Sequence, residues 1–189
     1  MKKMFALMLS GMMAMSMPAM AETAEATAEP AAQEAEMEAA AERPEAPYEG
    51  EWITISDGEG VSMDMCLPAG WQFEALTDDD VAAGLIYKAT AQEEERAFVV
   101  AHEQSDEASD ADAIQEALAG DYEDAAVVSV NGTDCVKYTD SEADAVVLVV
   151  PDEAGMSLFT FTPASDEDFA ALVEEMIGTI AVSQVADVE

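Results

Sequence analysis

Positive charge is what this chain has least of: six lysines and arginines stand against 42 aspartates and glutamates, a formal net charge of −36 over 189 residues. Such a surface repels phosphate backbones and anionic lipid, which excludes nucleic acid as a partner and excludes charge-driven attachment to a membrane. Histidine is as scarce. His102 is the single one, so any Ser/His or Cys/His nucleophile must use it, and no G-x-S-x-G elbow is present. It ends a predicted strand beside Glu103, where it reads as a solvated strand-end side chain. Cys66 and Cys135 are the two cysteines, with no CxxC spacing and no neighbouring histidine to complete a zinc site. Gly58-Glu59-Gly60 lacks the third glycine of a dinucleotide fingerprint and the lysine of a P-loop, so it reads as a turn. No apolar run reaches the roughly 20 residues of a membrane-spanning helix. Carboxylates are so numerous that an acid/base pair has no distinguishing address. No catalytic, cofactor-binding or metal-binding residue is assigned from these patterns, and no cofactor is implied.

What is present begins with a leader. Lys2 and Lys3 precede Met4 to Met17, an apolar run broken only by Ser10, Gly11 and Ser16, and Ala19-Met20-Ala21 has the small-x-small pattern that a signal peptidase cuts. Residues 1–21 are therefore expected to be a signal peptide cleaved after Ala21, leaving a secreted, periplasmic or extracellular protein. The segment is too short for a retained anchor and has no cysteine to carry lipid. Eight of the thirteen methionines and two of the six cations leave with it. Arg43, Lys88, Arg96 and Lys137 remain. A field this negative favours cationic ligands or basic protein patches, with solubility as the plainer role for the charge. Residues 22–47, rich in Ala and Glu with Pro30, Pro44 and Pro47 and without an aromatic, read as a disordered acidic tether.

From Tyr48 to Glu189 the texture is that of one folded domain, expected to be a monomer. Trp52 to Ser56 and Val61 to Leu67 read as strands across Asp57-Gly58-Glu59-Gly60, and Pro68 and Gly70 turn the chain. Thr77-Asp78-Asp79-Asp80 reads as the capped start of a short helix. Gly84 to Ala89 and Ala97 to His102 form a predicted hairpin. Ser109 to Asp112 open a second helix with Ile114 and Leu118 on its apolar stripe. Asn131-Gly132, between Ala125–Val130 and Thr133–Thr139, is the strongest hairpin signal, because both residues suit a type I′ turn. Ala145–Val150 and Ser157–Thr162 follow, then a helix capped by Ser165 with Phe169, Leu172, Val173 and Met176 on one face, and a short strand over Thr179–Ser183. The sum is an α+β fold: a mostly antiparallel sheet of seven or eight strands flanked by helices.

Strand parity places Cys66 opposite Val61, Met63, Met65 and Leu67, and Cys135 opposite Val136 and Tyr138. Both cysteines then point away from the main apolar face of their strands. In an oxidising compartment, a Cys66–Cys135 disulfide on neighbouring strands is expected, closing a loop of about 70 residues and contributing on the order of 4 kcal/mol. Two half-buried thiols are the alternative. The acid runs Asp78–Asp80 and Asp106–Asp112 offer hard oxygen ligands for calcium but lack EF-hand spacing, and helix capping accounts for both. Asn131-Gly132-Thr133 fits a glycosylation sequon that the turn already explains.

The order of elements, with Leu67-Pro68-Ala69-Gly70-Trp71 near the start, Val130-Asn131-Gly132 leading into Val136-Lys137-Tyr138-Thr139, Leu158-Phe159-Thr160-Phe161-Thr162-Pro163, and a closing helix with Phe169 and Ile177-Gly178-Thr179-Ile180, resembles the PsbP-like α/β/α sandwich superfamily over roughly Glu51 to Ser183. The resemblance implies an accessory, binding or assembly protein and carries no site motif. The leading expectation is an exported, non-enzymatic binding or accessory module for a protein or cationic ligand. A calcium- or cation-binding protein is the second reading and a hydrolase the third.

Overall fold

The structure, a computed structural model, describes residues 43–56, 61–92, 95–104, 110–152 and 155–184. The chain divides into Met1–Ala40 and Ala41–Glu189, and every described residue belongs to the second unit. The leader with its cleavage point, most of the tether, the 57–60 turn and the 106–109 part of the second acid run lie outside the described residues.

In chain order the elements are β1 (Gly50–Ser56), β2 (Val61–Pro68), β3 (Trp71–Phe73), α1 (Asp78–Ala82), β4 (Leu85–Ala91), β5 (Ala97–Gln104), α2 (Ala111–Leu118), β6 (Ala126–Val130), β7 (Thr133–Asp140), β8 (Ala145–Pro151), β9 (Gly155–Thr162), α3 (Glu167–Gly178) and β10 (Ala181–Gln184). The class is α+β and every strand pairing is antiparallel. Two sheets are formed where the sequence reads as one: β1-β2-β10 and β3-β4-β5-β9-β8-β7-β6. The division falls at Leu67-Pro68-Ala69-Gly70-Trp71. Pro68 has no N–H to extend a ladder and Gly70 takes φ +87°, so the chain leaves the small sheet and starts the large one at Trp71. Trp71–Phe73, too short to show alternation, is the strand the sequence reading does not contain.

Alternation along the large sheet sends its side chains to two separate layers. On one face Phe98, Val100, Leu148, Val150, Phe159 and Phe161 meet Phe169, Val173, Met176 and Ile177 of α3 together with Ile55, Met63 and Met65 of the small sheet, in one continuous core. Phe98 stacks on Phe159 and Phe161 at ring separations of 5.9 and 5.0 Å. The opposite face is covered by α2, which packs on β6 and β7 and buries Ile114 and Leu118. The apolar run Val146–Val150 is mid-sheet with layers on both sides, which is why it shows no polar alternation.

Turn and cap chemistry set the register. Asn131 (φ +48°) and Gly132 (φ +90°) make the β6–β7 turn left-handed at both positions. The Asn131 side-chain amide also donates to the Gly178 and Ile180 carbonyls at 2.9 and 2.7 Å, satisfying groups left open where α3 ends. The α3 cap is Asp166 rather than Ser165: its Oδ1 accepts from the Asp168 and Phe169 amides, each at 3.1 Å, while Ser165 is bonded to Asp144. A carboxylate at this position satisfies the same orphan amides and adds charge where the helix dipole favours it.

Phe159 joins the sheet core to its aromatic neighbours and has no exposed surface. Phe159→Ala is expected to lower stability by about 3–5 kcal/mol, measured by urea unfolding. A loss below about 1 kcal/mol would contradict a shared core.

Candidate functional site

The His102 side chain is largely enclosed, not solvated. The β5–β9 register sets it opposite Ser157, with its Nδ1 3.3 Å from Ser157 Oγ and 3.6 Å from Asp152 Oδ2. The His102 and Asp152 side chains are 7% and 4% exposed, and Ser157 is fully covered. Serine, histidine and aspartate thus converge, yet the Ser157 hydroxyl and the more distant Asp152 carboxylate both lie nearest the same ring nitrogen. A hydrolytic relay needs the serine on one nitrogen and the acid on the other, so that the imidazole can pass a proton between them. What this arrangement supplies is a polar tie joining β5, the start of β9 and the end of β8. The parity of His102 with Phe98 and Val100 was the available signal for burial. Its partners, 50 or more positions away, were not visible until the sheet order was known.

The cysteines correct a second expectation. Cys66 and Cys135 are free thiols, both buried. They do not sit on neighbouring strands, because β2 belongs to the small sheet and β7 to the large one. Parity gave the right alternation in β7 but the wrong outer face: Cys135 points into the main core, and Val136 and Tyr138 lie on the α2 side. Cys66 is covered by the approach of Gly50, and its backbone is fixed by Tyr48 Oη donating to its carbonyl at 2.7 Å and by its own N–H donating to Thr179 Oγ1 at 3.1 Å. Burial raises both thiol pKa values, and for Cys135 burial with the nearby Asp134 charge pushes it up to about 12. Thiols so held are poor nucleophiles.

The four basic side chains that follow the leader are all engaged within the domain. Arg43 Nε lies 2.9 Å from Asp64 Oδ2, Lys88 Nζ 3.0 Å from Glu74, Arg96 Nη2 2.8 Å from Asp166 and Lys137 Nζ 2.6 Å from Glu174. Arg43 also sits over the Trp52 ring at 5.4 Å, so the last residues of the expected tether are docked on the domain. Asp64 is the buried member of this group. Burial alone would raise its pKa, but hydrogen bonds from Arg43 and from Thr54, at 2.6 Å, outweigh that and hold it below the usual carboxylate value.

One described acid of each calcium-type run takes part in a helix cap. Asp80 closes a capping box with Thr77, whose amide and hydroxyl donate to it at 2.9 and 2.8 Å, and Asp110 accepts from the Ala113 amide at 2.8 Å. Among the described residues no three His, Cys, Asp or Glu side chains converge to hold a metal.

A concave site does exist at the junction of the two sheets. Glu49 and Glu51 flank a cleft of about 370 Å³ whose wall is formed by Leu67, Pro68 and Trp71. Trp71 is held in place by stacking on Phe169 at 5.9 Å. Two residues on, Phe73 is 60% exposed and packs its ring 5.5 Å from Tyr87. The Tyr87 hydroxyl pKa is raised, first by burial and then by the Glu51 charge. The Leu67–Trp71 segment, read from sequence only as a turn, therefore builds both the division between sheets and the cleft.

No protein-family model matches this sequence, and no curated protein does. Among solved structures the chain is similar to cyanobacterial PsbP (CyanoP) from Synechocystis sp. PCC 6803, at 12% identity with a TM-score of 0.48, covering 74% of this chain and 97% of that one. The resemblance is weak and one of fold.

Two measurements follow from these environments. A thiol reagent at pH 8 should find no reactive cysteine in the native protein and two after unfolding in denaturant; none after unfolding would mean a disulfide. Asp64 has a folded pKa below its unfolded value, so its pairing adds stability above the unfolded value and the gain is lost as pH falls through the folded one. With Arg43 43% exposed, Asp64→Asn should cost about 1 kcal/mol at pH 7. The gap from wild type should narrow as pH falls below the usual carboxylate range and through the lowered folded value. A gap that does not change with pH would show that the charge contributes nothing.

Proposed function

We propose that this chain is an exported, non-enzymatic accessory module whose domain binds a positively charged protein partner. One observation carries the reading: Arg43, Lys88, Arg96 and Lys137 all form ion pairs inside the domain, and six cations against 42 acids leave most carboxylates without a cation of the chain to offset them. A surface of this kind attracts a cationic partner and steers its approach. The geometry at His102 supports the non-enzymatic part, since Ser157 and Asp152 lie nearest one ring nitrogen rather than on opposite ones. Export rests on Lys2, Lys3, the Met4–Met17 run and the Ala19–Ala21 pattern, and the exported chain should begin at Glu22 by mass.

The test is binding of a labelled twelve-residue peptide of alternating lysine and glycine to the full chain, followed by anisotropy across a salt series. Affinity should fall steeply as salt rises, and the peptide with glutamate in place of lysine should not bind. In parallel, ester and amide substrates should give no turnover above buffer. Turnover abolished by Ser157→Ala and by His102→Gln would overturn the non-enzymatic reading.

A further inference from the structure

We infer that the cleft between Glu49, Glu51 and the Leu67–Trp71 segment is the point at which this module receives a lysine or arginine side chain from an extended basic segment of its partner; this rests on the reading that the partner is cationic. Position is the first argument. β1 is an outer strand of the small sheet and β3 an outer strand of the large one, and the cleft lies where the two outer strands come together. Outer strands are where an extended segment can lie alongside a sheet.

Charge is the second. Glu49 and Glu51 are exposed, and neither is among the carboxylates paired with Arg43, Lys88, Arg96 or Lys137. The wall is the third. Trp71, stacked on Phe169 and so fixed in orientation, offers a ring in the same cleft as the carboxylates, and two residues along the same strand the exposed Phe73, packed on Tyr87, offers further apolar surface. A long basic side chain needs both features: apolar surface for its methylene stem and carboxylates or a ring face for its charged head. At about 370 Å³ the cleft lies at the small end of ligand sites, which suits one side chain better than a folded ligand. A hard divalent cation is a poorer match, since calcium takes about six to eight oxygen ligands and two carboxylates beside an aromatic wall supply too few. A second copy of this chain is disfavoured by its like charge.

The experiment titrates the full chain with the same lysine–glycine peptide and follows the indole N–H signal of Trp71 by NMR. The signal should shift on binding, and Glu49→Gln with Glu51→Gln should weaken affinity about fivefold or more. Glu116→Gln with Glu123→Gln removes the same charge at exposed positions on and just after α2, and should change affinity less than about twofold. Phe73→Ala, at an exposed position the fold does not need, should weaken binding about threefold while leaving the salt dependence unchanged. Equal loss in the two double variants, or an unmoved Trp71 signal, would overturn the cleft and leave the cationic-partner reading standing. No binding by the wild-type chain would overturn both.

Discussion

A chain with 42 acids and six bases folds against its own repulsion, and the opposing term has to come from apolar burial. The arrangement that supplies it is a single core running through both sheets and α3, centred on Phe98, Phe159, Phe161 and Phe169. The small sheet contributes Ile55, Met63 and Met65 to that core and has no separate one. Its three strands would not be stable alone, because one covered face of a short sheet is too little surface to offset the ordering of the chain. The division of the sheets therefore does not divide the domain.

Against that background the few cations act at junctions. Arg43 ties the incoming chain to β2, Lys88 ties β4 to the segment after β3, Arg96 ties β5 to the cap of α3, and Lys137 ties β7 to the outer side of the same helix. Each is exposed or half-buried and contributes modestly. Arg96 has a compound role: its guanidinium meets Asp166 through two nitrogens and lies 5.2 Å from the Phe169 ring, on which Trp71 stacks. The α3 cap, the core aromatic and the wall of the cleft are thus parts of one contact series.

Local chemistry was legible in the sequence wherever a few consecutive residues determine the outcome. Asn131-Gly132 gave the hairpin, Thr77 with Asp80 gave a cap, and alternation gave nine of the ten strands to within a few residues. What escaped depends on partners distant in the chain. Cys135 alternates as expected, but which face of β7 meets the core follows from the packing there of α3, which comes later in the chain, and of the small sheet, most of which comes earlier. His102 reads as a strand end until β9 is placed beside it. Trp71–Phe73 has only three residues, fewer than alternation needs, and its identity as a strand comes from pairing with Ala89–Ala91.

The same non-locality explains why the cleft has no sequence signature. Its acids come from Glu49, just before β1, and Glu51 within it, part of its wall from the end of β2 and its ring from β3, and the Pro68–Gly70 turn joins the last two. Glu49 and Glu51 are two among 42 acids, and nothing in their neighbours distinguishes them. What distinguishes them is geometry: a fixed aromatic wall in one cleft with carboxylates outside the ion pairs that Arg43, Lys88, Arg96 and Lys137 form with Asp64, Glu74, Asp166 and Glu174. In a protein whose whole surface is negative, charge can attract a basic partner but cannot tell it where to stop. A shaped apolar wall can, because contact with it requires the close approach that a diffuse field does not.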